Sequence, residues 1–474
     1  MKDLRGFIEE LQKSNQLVRV KKPVSLKYEI GDICRAVNDK IGPALLFENI
    51  VEAPGSSILC NIVGSPDRAA LALDTTRTDA VRHYLARSKQ PIEPVVTQGS
   101  APCQQVVYTG DNVDVTKLPI PIWHMADGGA YISFGIQISK DPETGVRNAS
   151  ILRQMVLGKN LLSLQILEGK HMHMHWLKAK AQGKPFLQAA VVIGVRPSVV
   201  FVGCHSGSLD EDEFAVAGGL EGKAISMVKC KTIDLDVPAD SEIVIEGIVP
   251  VGEEEFHDEG PFGEFTGYYS KHNTNLPVMK VTCITTRKDP IFLGTYEGRP
   301  PAEDHIFKTI SYSAGILKDA SRLCPGLMDV YVTPSGCTFY HGVAKIRKNQ
   351  SGHARLAMNA IWACHLGKYL KQLIVVDENI DITDPAQVEW AVATMVQPDR
   401  DVLIQSKTPA NVLDPSQWPR GQASTMGIDA TRKTVEEGGP GVNNYPQVIS
   451  HEQSPFWKKI QERGWQKYVS DVHG

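Results

Sequence analysis

The sequence has no run of about 18 consecutive apolar residues, so no membrane-spanning helix is expected. Its opening, Met1-Lys2-Asp3-Leu4-Arg5, lacks the uninterrupted apolar stretch of a secretory signal. Both absences point to a soluble cytoplasmic protein. No pair among its nine cysteines has CxxC spacing, and the number is odd. Most sit in apolar runs, as Cys204 does after Ser198-Val-Val-Phe-Val-Gly. A disulfide framework and a structural zinc site are therefore unsupported, and packed, reduced thiols are expected. A basic excess is also missing: 50 Lys and Arg stand against 54 Asp and Glu, for a net charge of −4. A chain that grips nucleic-acid phosphates usually carries surplus positive charge. Neither a GxxxxGK motif followed by Ser or Thr nor a GxGxxG opening a helix after a strand occurs, and Gly218-Gly-Leu-Glu-Gly222 fits neither pattern. ATP hydrolysis on a P-loop and NAD-dependent chemistry thus lack support.

What is present is a globular composition, 42% hydrophobic and 22% charged, in a chain of 474 residues, long enough for two or three domains. Residues 1–114 pair an amphipathic helix (Leu4, Phe7, Ile8, Leu11) with apolar segments such as Pro43-Ala-Leu-Leu-Phe47. Residues 115–305 are dominated by strand signals at Phe186–Val195, Ser198–Gly203, Glu242–Glu246 and Val278–Thr286, which suggest a barrel-like sheet. Residues 306–474 look α/β, with a helix over Ala354–Leu366 and a buried strand at Leu373–Val376. A second helix there is capped by Asp384 before Pro385 and carries Val388, Ala391, Val392 and Met395 on one face. An amphipathic segment around Phe456–Tyr468 closes the chain.

Four local signals carry chemistry. In Asp258-Glu-Gly-Pro-Phe-Gly-Glu-Phe-Thr-Gly-Tyr-Tyr269, two carboxylates, Glu259 and Glu264, flank a tight Gly-Pro-Phe-Gly turn among aromatic residues. Partial desolvation there raises a carboxyl pKa and suits acid/base work, although most paired glutamates form only a solvated acidic turn. Arg153, in Asn148-Ala-Ser-Ile-Leu-Arg153, is either a surface ion-pair partner on a strand or a bidentate anchor for a substrate carboxylate. Alternation in Lys170-His-Met-His-Met-His175 sets His171, His173 and His175 on one strand face, either as a soft metal site or, for at least two of them, as a polar face opposite an apolar Met face. The run Asp210-Glu-Asp-Glu213 is either a solvated loop or the source of one oxygen ligand to a hard cation.

Together these blocks resemble one family. The chain is similar over its whole length to the UbiD-type decarboxylases, and Glu259-Gly-Pro-Phe-Gly-Glu264 is similar to their most recognisable motif. The resemblance implies a Glu–Arg–Glu catalytic network of Glu259, Arg153 and Glu264. It implies metal ligation by Asn148, His171 and Glu213, with Mn2+ or Mg2+ bridging to the phosphate of prenylated FMN and K+ as a further ion. Asn148, Arg153, His171, Glu213 and Lys371 would then contact the cofactor, while His173 and His175 match nothing in the pattern. The implied fold is mixed α+β: a central split β-barrel like that of flavin reductases, between an N-terminal α/β element and a C-terminal α/β domain used in homo-oligomerisation, as a dimer or hexamer. The implied reaction is reversible, non-oxidative decarboxylation through a covalent adduct with prenylated FMN, supplied by a flavin prenyltransferase. Side-chain acid/base catalysis contributes only about 10²–10⁴-fold, so expelling CO2 from an aromatic ring calls for such an electron sink.

For the substrate, Gly263–Ser270 is similar to the hydroxybenzoate branch. The loop Arg299-Pro-Pro-Ala-Glu-Asp-His305 is closer to the branch acting on pyrrole- or furan-carboxylates, in which a polar residue at the place of Asp304 lines the pocket. The implied substrate is an aromatic or heteroaromatic acid. Two other readings have distinct signatures: a flavin reductase would oxidise NAD(P)H, and a non-catalytic flavin- or metal-binding subunit would bind without turnover.

Overall fold

The computed structural model describes residues 2–166, 168–252, 256–445, 448 and 454–465. The expected N-terminal helix is Leu4–Lys13, capped by Asp3, and its apolar stripe Leu4, Phe7, Ile8 and Leu11 is buried. It accompanies a four-stranded sheet ordered Leu17–Val20, Ala44–Phe47, Ser57–Cys60, Ile291–Leu293. The last strand comes from far along the chain and pairs in parallel with Ser57–Cys60. Glu303 adds a second tie, accepting from the backbone of Asn61 and Val63 at 3.0 and 2.8 Å.

The centre is a ten-stranded antiparallel sheet. Its path runs from Tyr131–Ile132 through Gln154–Gly158, Leu161–Ser163, Asn273–Thr286, Ile243–Pro250, Phe186–Ile193 and Ile136–Lys140 to Arg147–Ile151. Val106–Thr109 and Phe256–Glu259 both pair with the long strand Asn273–Thr286. The first and last strands of the path do not pair, so the sheet curls into a half-barrel and stays open. Its inner strands are continuously apolar because both faces are covered; Ala189 to Ile193 are all buried.

Two strand expectations in this region are corrected. Ser198–Gly203 is not a strand: Pro197–Val202 is a helix, entered through Pro197 at its first turn and buried at every residue. Full burial overrides the β preference of its valines. His171–His175 is not a strand either, but the start of the helix His171–Ala181. Five alternating residues are too few to decide the period, and the following Trp-Leu-Lys-Ala-Lys-Ala favours helix. His171 and His175 consequently share a face while His173 points elsewhere. His173 stacks on Trp176, and His175 is buried, with its Nδ1 2.9 Å from the Ser139 hydroxyl.

The C-terminal region is a mixed sheet ordered Leu327–Val332, His341–Ile346, Gln372–Asp377, Gln422–Ala430, Val402–Pro409. Gln372–Asp377 is the expected buried strand. The expected 354–366 helix ends earlier, as His353–Trp362, and Asp384 caps Pro385–Met395 through Ala386 N–H as read from the sequence. The sequence places Arg299–His305 in a loop; the structure instead starts the long helix Glu303–Ala320 inside it. The tail forms a short helix, Trp457–Glu462, and residues 466–468 of the expected amphipathic segment lie outside the described residues. No helix among the described residues is long and apolar enough to cross a membrane.

Candidate active site

Arg153 lies not within a strand but in the connection between Arg147–Ile151 and Gln154–Gly158. Freed from the sheet ladder, its guanidinium reaches both acids of the turn. Nε donates to Glu259 Oε1 at 3.0 Å and Nη2 to Glu259 Oε2 at 3.2 Å, while Nη1 pairs with Glu264. All three side chains are buried. Glu259 ends the strand Phe256–Glu259, and the chain turns at once through Gly260, whose φ of +96° suits glycine. The Phe262 ring packs 5.2 Å from the Arg153 guanidinium and 4.5 Å from Tyr131. Burial alone would raise the Glu259 carboxyl; hydrogen bonding and charge from Arg153, with Asn273 and Tyr131, outweigh it and hold the group below its ordinary range. The arrangement fixes a cation between two carboxylates in a dry, aromatic setting, where electrostatic effects are strong.

Asn148 sits five residues earlier, on the strand Arg147–Ile151, facing the helix Glu213–Glu221. Asp212 caps that helix through Phe214 N–H and is itself fixed by Arg147, so Glu213, the first helical residue, is turned inward. Its Oε1 accepts from Asn148 Nδ2 at 2.9 Å and its Oε2 from Ala149 N–H at 2.9 Å. His171 Nδ1, at the start of its own helix, lies 3.2 Å from Asn148 Nδ2 and 3.8 Å from Glu213 Oε1. The three sequence-picked ligands therefore meet at one point. Burial pushes the Glu213 carboxyl up to about 8, and among the described residues His171 is its only ion-pair neighbour. Burial, with Lys170 alongside, lowers the His171 pKa, which keeps the imidazole neutral. A neutral imidazole, an amide and an uncompensated buried carboxylate are a donor set that fits a divalent cation. No group of three His, Cys, Asp or Glu suited to a metal occurs among the described residues; this set has one amide in place of a third such ligand.

Asp304 is buried in the first turn of the helix Glu303–Ala320, near the acidic turn. Its Oδ2 accepts from Lys308 at 3.0 Å, one helical turn on, and Lys308 also lies over the Phe265 ring. Burial opposes the charge on Asp304, and its ion pair and hydrogen bond with Lys308 outweigh it, so the carboxyl stays low. His305 Nε2 is 2.7 Å from the Phe265 carbonyl, and its Nδ1 accepts from Ala302 N–H at 3.1 Å. The ring thus carries its proton on Nε2, and burial keeps it neutral. It has nothing to donate to Asp304, whose buried Oδ1 is left without a hydrogen-bond partner.

Lys371 stands apart from these groups. Its ammonium pairs with Asp414 at 3.0 Å and donates to Ser416 at 2.7 Å. Lys170, next to His171 in the chain, and Lys368, which the sequence reading passed over, repel each other's charge, and neither forms an ion pair among the described residues. The reading also missed Lys308. The four-residue spacing of Asp304 and Lys308 on a helix was an available signal.

Three family models cover most of the chain: the N-terminal, Rift-related and C-terminal domains of 3-octaprenyl-4-hydroxybenzoate carboxy-lyase match residues 8–88, 94–300 and 305–430. Solved structures agree. The UbiD-class enzyme HmfF from Pelotomaculum thermopropionicum, solved with FMN, is 33% identical with a TM-score of 0.86, over 98% of this chain and 100% of that one. Vanillic acid decarboxylase from Sedimentibacter hydroxybenzoicus, in an open form, is 29% identical with a TM-score of 0.88, over 99% of each chain. The 3,4-dihydroxybenzoic acid decarboxylase AroY from Klebsiella pneumoniae is 27% identical with a TM-score of 0.86, over 96% of this chain and 98% of that one. With the fold matched from end to end, and the Glu–Arg–Glu cluster built on it, the chain belongs to the UbiD family of decarboxylases.

Proposed function

We propose that the protein decarboxylates, reversibly and without net oxidation, an aromatic or heteroaromatic acid that carries a ring N–H or O–H group. The observation that carries this reading is Arg153 held between two buried carboxylates, Glu259 and Glu264. Prenylated FMN, when bound, supplies the electron sink that side chains lack. Asn148, His171 and Glu213 would hold Mn2+ or Mg2+ against its phosphate, and Lys170 and Lys368 would add charge there in preference to Lys371, which is committed to Asp414. We read the open sheet as the flavin-binding half of a split barrel.

Arg153 orients the substrate carboxylate, a role its planar fork fits. It also keeps Glu259 ionised, which leaves Glu264 to deliver a proton to the ring carbon that CO2 has left. The unpartnered Asp304 Oδ1 sets the substrate class, because a buried acceptor left unmade costs about 1–3 kcal/mol and only a donor satisfies it. Pyrroles and hydroxybenzoates offer one, whereas a furan oxygen does not. The decisive experiment is co-expression with a flavin prenyltransferase, followed by CO2 release from a panel of pyrrole-, furan-, benzoic and hydroxybenzoic acids. Turnover of the donor-bearing acids is expected; NAD(P)H oxidation, or cofactor binding without turnover, would overturn the assignment.

A further inference from the structure

A proton donor works only if its oxygen is held where the ring carbon will be; a misplacement of about 1 Å costs about 10²-fold in rate. Glu264 stands on neither a helix nor a regular strand. It belongs to a short hairpin of residues 262–270, in which Gly263 and Tyr269 form a single antiparallel bridge. Glu264 N–H donates to the Tyr268 carbonyl at 3.0 Å, and Ser270 N–H to that of Phe262 at 2.8 Å. A hairpin this small is marginal by itself, so the position of its acid depends on what grips it from outside.

The grip comes from the segment just before the half-barrel. Asp127 Oδ1 accepts from Gly263 N–H at 2.9 Å, one residue from Glu264. Gly128 N–H donates to the Pro261 carbonyl at 2.8 Å, and the Tyr131 hydroxyl donates to the same oxygen at 3.4 Å. The Asp127 side chain is fully buried, and its Oδ2 accepts from His124 N–H at 2.9 Å and from His124 Nδ1 at 3.2 Å, which puts the ring proton on Nδ1. The imidazole then packs flush on the hairpin: a Cβ at Gly263 would collide with it, as one at Gly128 would with the Gly260 carbonyl. Glycine at both places lets the two backbones touch. The segment is itself anchored. Buried Trp123 donates from Nε1 to the Tyr131 carbonyl at 3.0 Å, and Ile122 N–H donates to Leu26 at 3.0 Å in the N-terminal region. Three N–H groups from two parts of the chain thus converge on one carboxylate, a task for two acceptor oxygens that an amide cannot perform. The reaction proposed above gives neither Asp127 nor His124 a role.

We propose that Asp127 is the positioning residue for Glu264. By holding Gly263 N–H it sets where the next residue presents its carboxyl to Arg153 and the substrate, and His124 braces the carboxylate that does so. Asp127 acts through Glu264 and touches neither substrate nor cofactor.

The inference rests on the decarboxylase reading, and one arm of its test lies outside that reading. In cofactor-loaded enzyme, Asp127→Ala should lower kcat for CO2 release, and exchange of the product's ring hydrogen with deuterium, by the same factor of about 10²-fold. KM, metal content and flavin content should stay at wild-type levels. Asp127→Asn, which keeps the volume and one acceptor, should lose less. On a Glu264→Gln background, Asp127→Ala should cost nothing further, because a residue that acts only through Glu264 has nothing left to position. In the unloaded protein, hydrogen-exchange mass spectrometry of both Asp127 variants should show faster exchange across residues 259–270 and no change elsewhere. Wild-type rates, equal losses on both backgrounds, a fall in metal or flavin, or unchanged exchange at residues 259–270 would each overturn the proposal. If the wild-type enzyme releases no CO2 from any acid, it is the decarboxylase reading that fails, while the exchange result still judges whether Asp127 holds the hairpin.

Discussion

The two buried polar clusters of this protein solve the problem of buried charge in opposite ways. Around Arg153 a countercharge is built in: a guanidinium lies between Glu259 and Glu264, and Asn273 donates to Glu259 at 3.1 Å. Around Glu213 none is: the carboxyl group is buried against an amide, a backbone N–H and a neutral imidazole, with no full positive charge supplied. A cluster that holds its own countercharge is preformed and rigid. One that does not is completed from outside, and its affinity for a cation is bound to pH. The difference says which half of the site depends on loading and which does not.

The strongest blow to the comparison is chemical. Glu264→Gln keeps the shape of the Arg153 cluster and removes its proton, so decarboxylation should fall by about 10²–10⁴-fold. Metal and cofactor content, read by elemental analysis and absorbance, should stay at wild-type levels, and exchange of the product's ring hydrogen with deuterium should stop. Wild-type exchange in this variant would withdraw the role of Glu264.

Arg153→Ala should expose the internal matching. Removing one partner of a buried ion pair costs about 3–5 kcal/mol, measurable by urea unfolding at pH 7. The folded-state pKa of Glu259 is depressed, so the stability it gains from Arg153 is present at neutral pH and is lost as pH falls through the carboxylate range. The deficit of the variant should therefore shrink in acid. A deficit independent of pH would mean that packing, not charge, was lost.

For the unmatched cluster, Glu213→Ala should lower divalent-metal and flavin content together. Glu211→Ala, which loses its contacts with His205 and Lys318, should do little. Equal losses would remove the ligand assignment. Because the Glu213 carboxyl is raised to about 8, it is mostly protonated at pH 7 without a metal. Calorimetry of Mn2+ binding to the unloaded protein should show release of nearly one proton at pH 7 and almost none well above pH 8, with affinity falling about tenfold per pH unit below that point. Proton release that does not change with pH would place the ion elsewhere.

The smallest effect is one of selectivity. Asp304→Asn keeps the volume and offers an N–H, so the preference for pyrrole- over furan-carboxylates should drop by roughly tenfold, in line with about 1–3 kcal/mol for one buried hydrogen bond. Metal and flavin content should hold, and a fall in cofactor would recast Asp304 as part of the scaffold.

Much of this was legible in the residue order. The spacing of Leu4, Phe7, Ile8 and Leu11 is enough to bury one helical face, and the Asp384-Pro385 cap and the apolar Leu373–Val376 strand are local signals that the fold obeyed. Gly260-Pro-Phe-Gly263 between two glutamates could only turn, and the turn brings both acids to one guanidinium. The failures have a common cause. Ser198–Gly203 and His171–His175 carry strand-like patterns over five or six residues, and burial and the following sequence decided for helix. For His171 the period hardly mattered, since the first residue of the helix reaches Glu213 either way.

By itself, then, the sequence determined the local turns, the capped and amphipathic helices, the family motif and the identity of the donors at each cluster, because these rest on contacts within a few residues. Only the tertiary structure decided that Glu213 would lack a full countercharge, and that His305 Nδ1 would accept from Ala302 N–H and so leave the neighbouring Asp304 Oδ1 without a donor. Each of those outcomes is a matter of which charges are brought together out of water. Electrostatic energy in a dry interior depends on distances between residues far apart in the chain, and no local pattern records them.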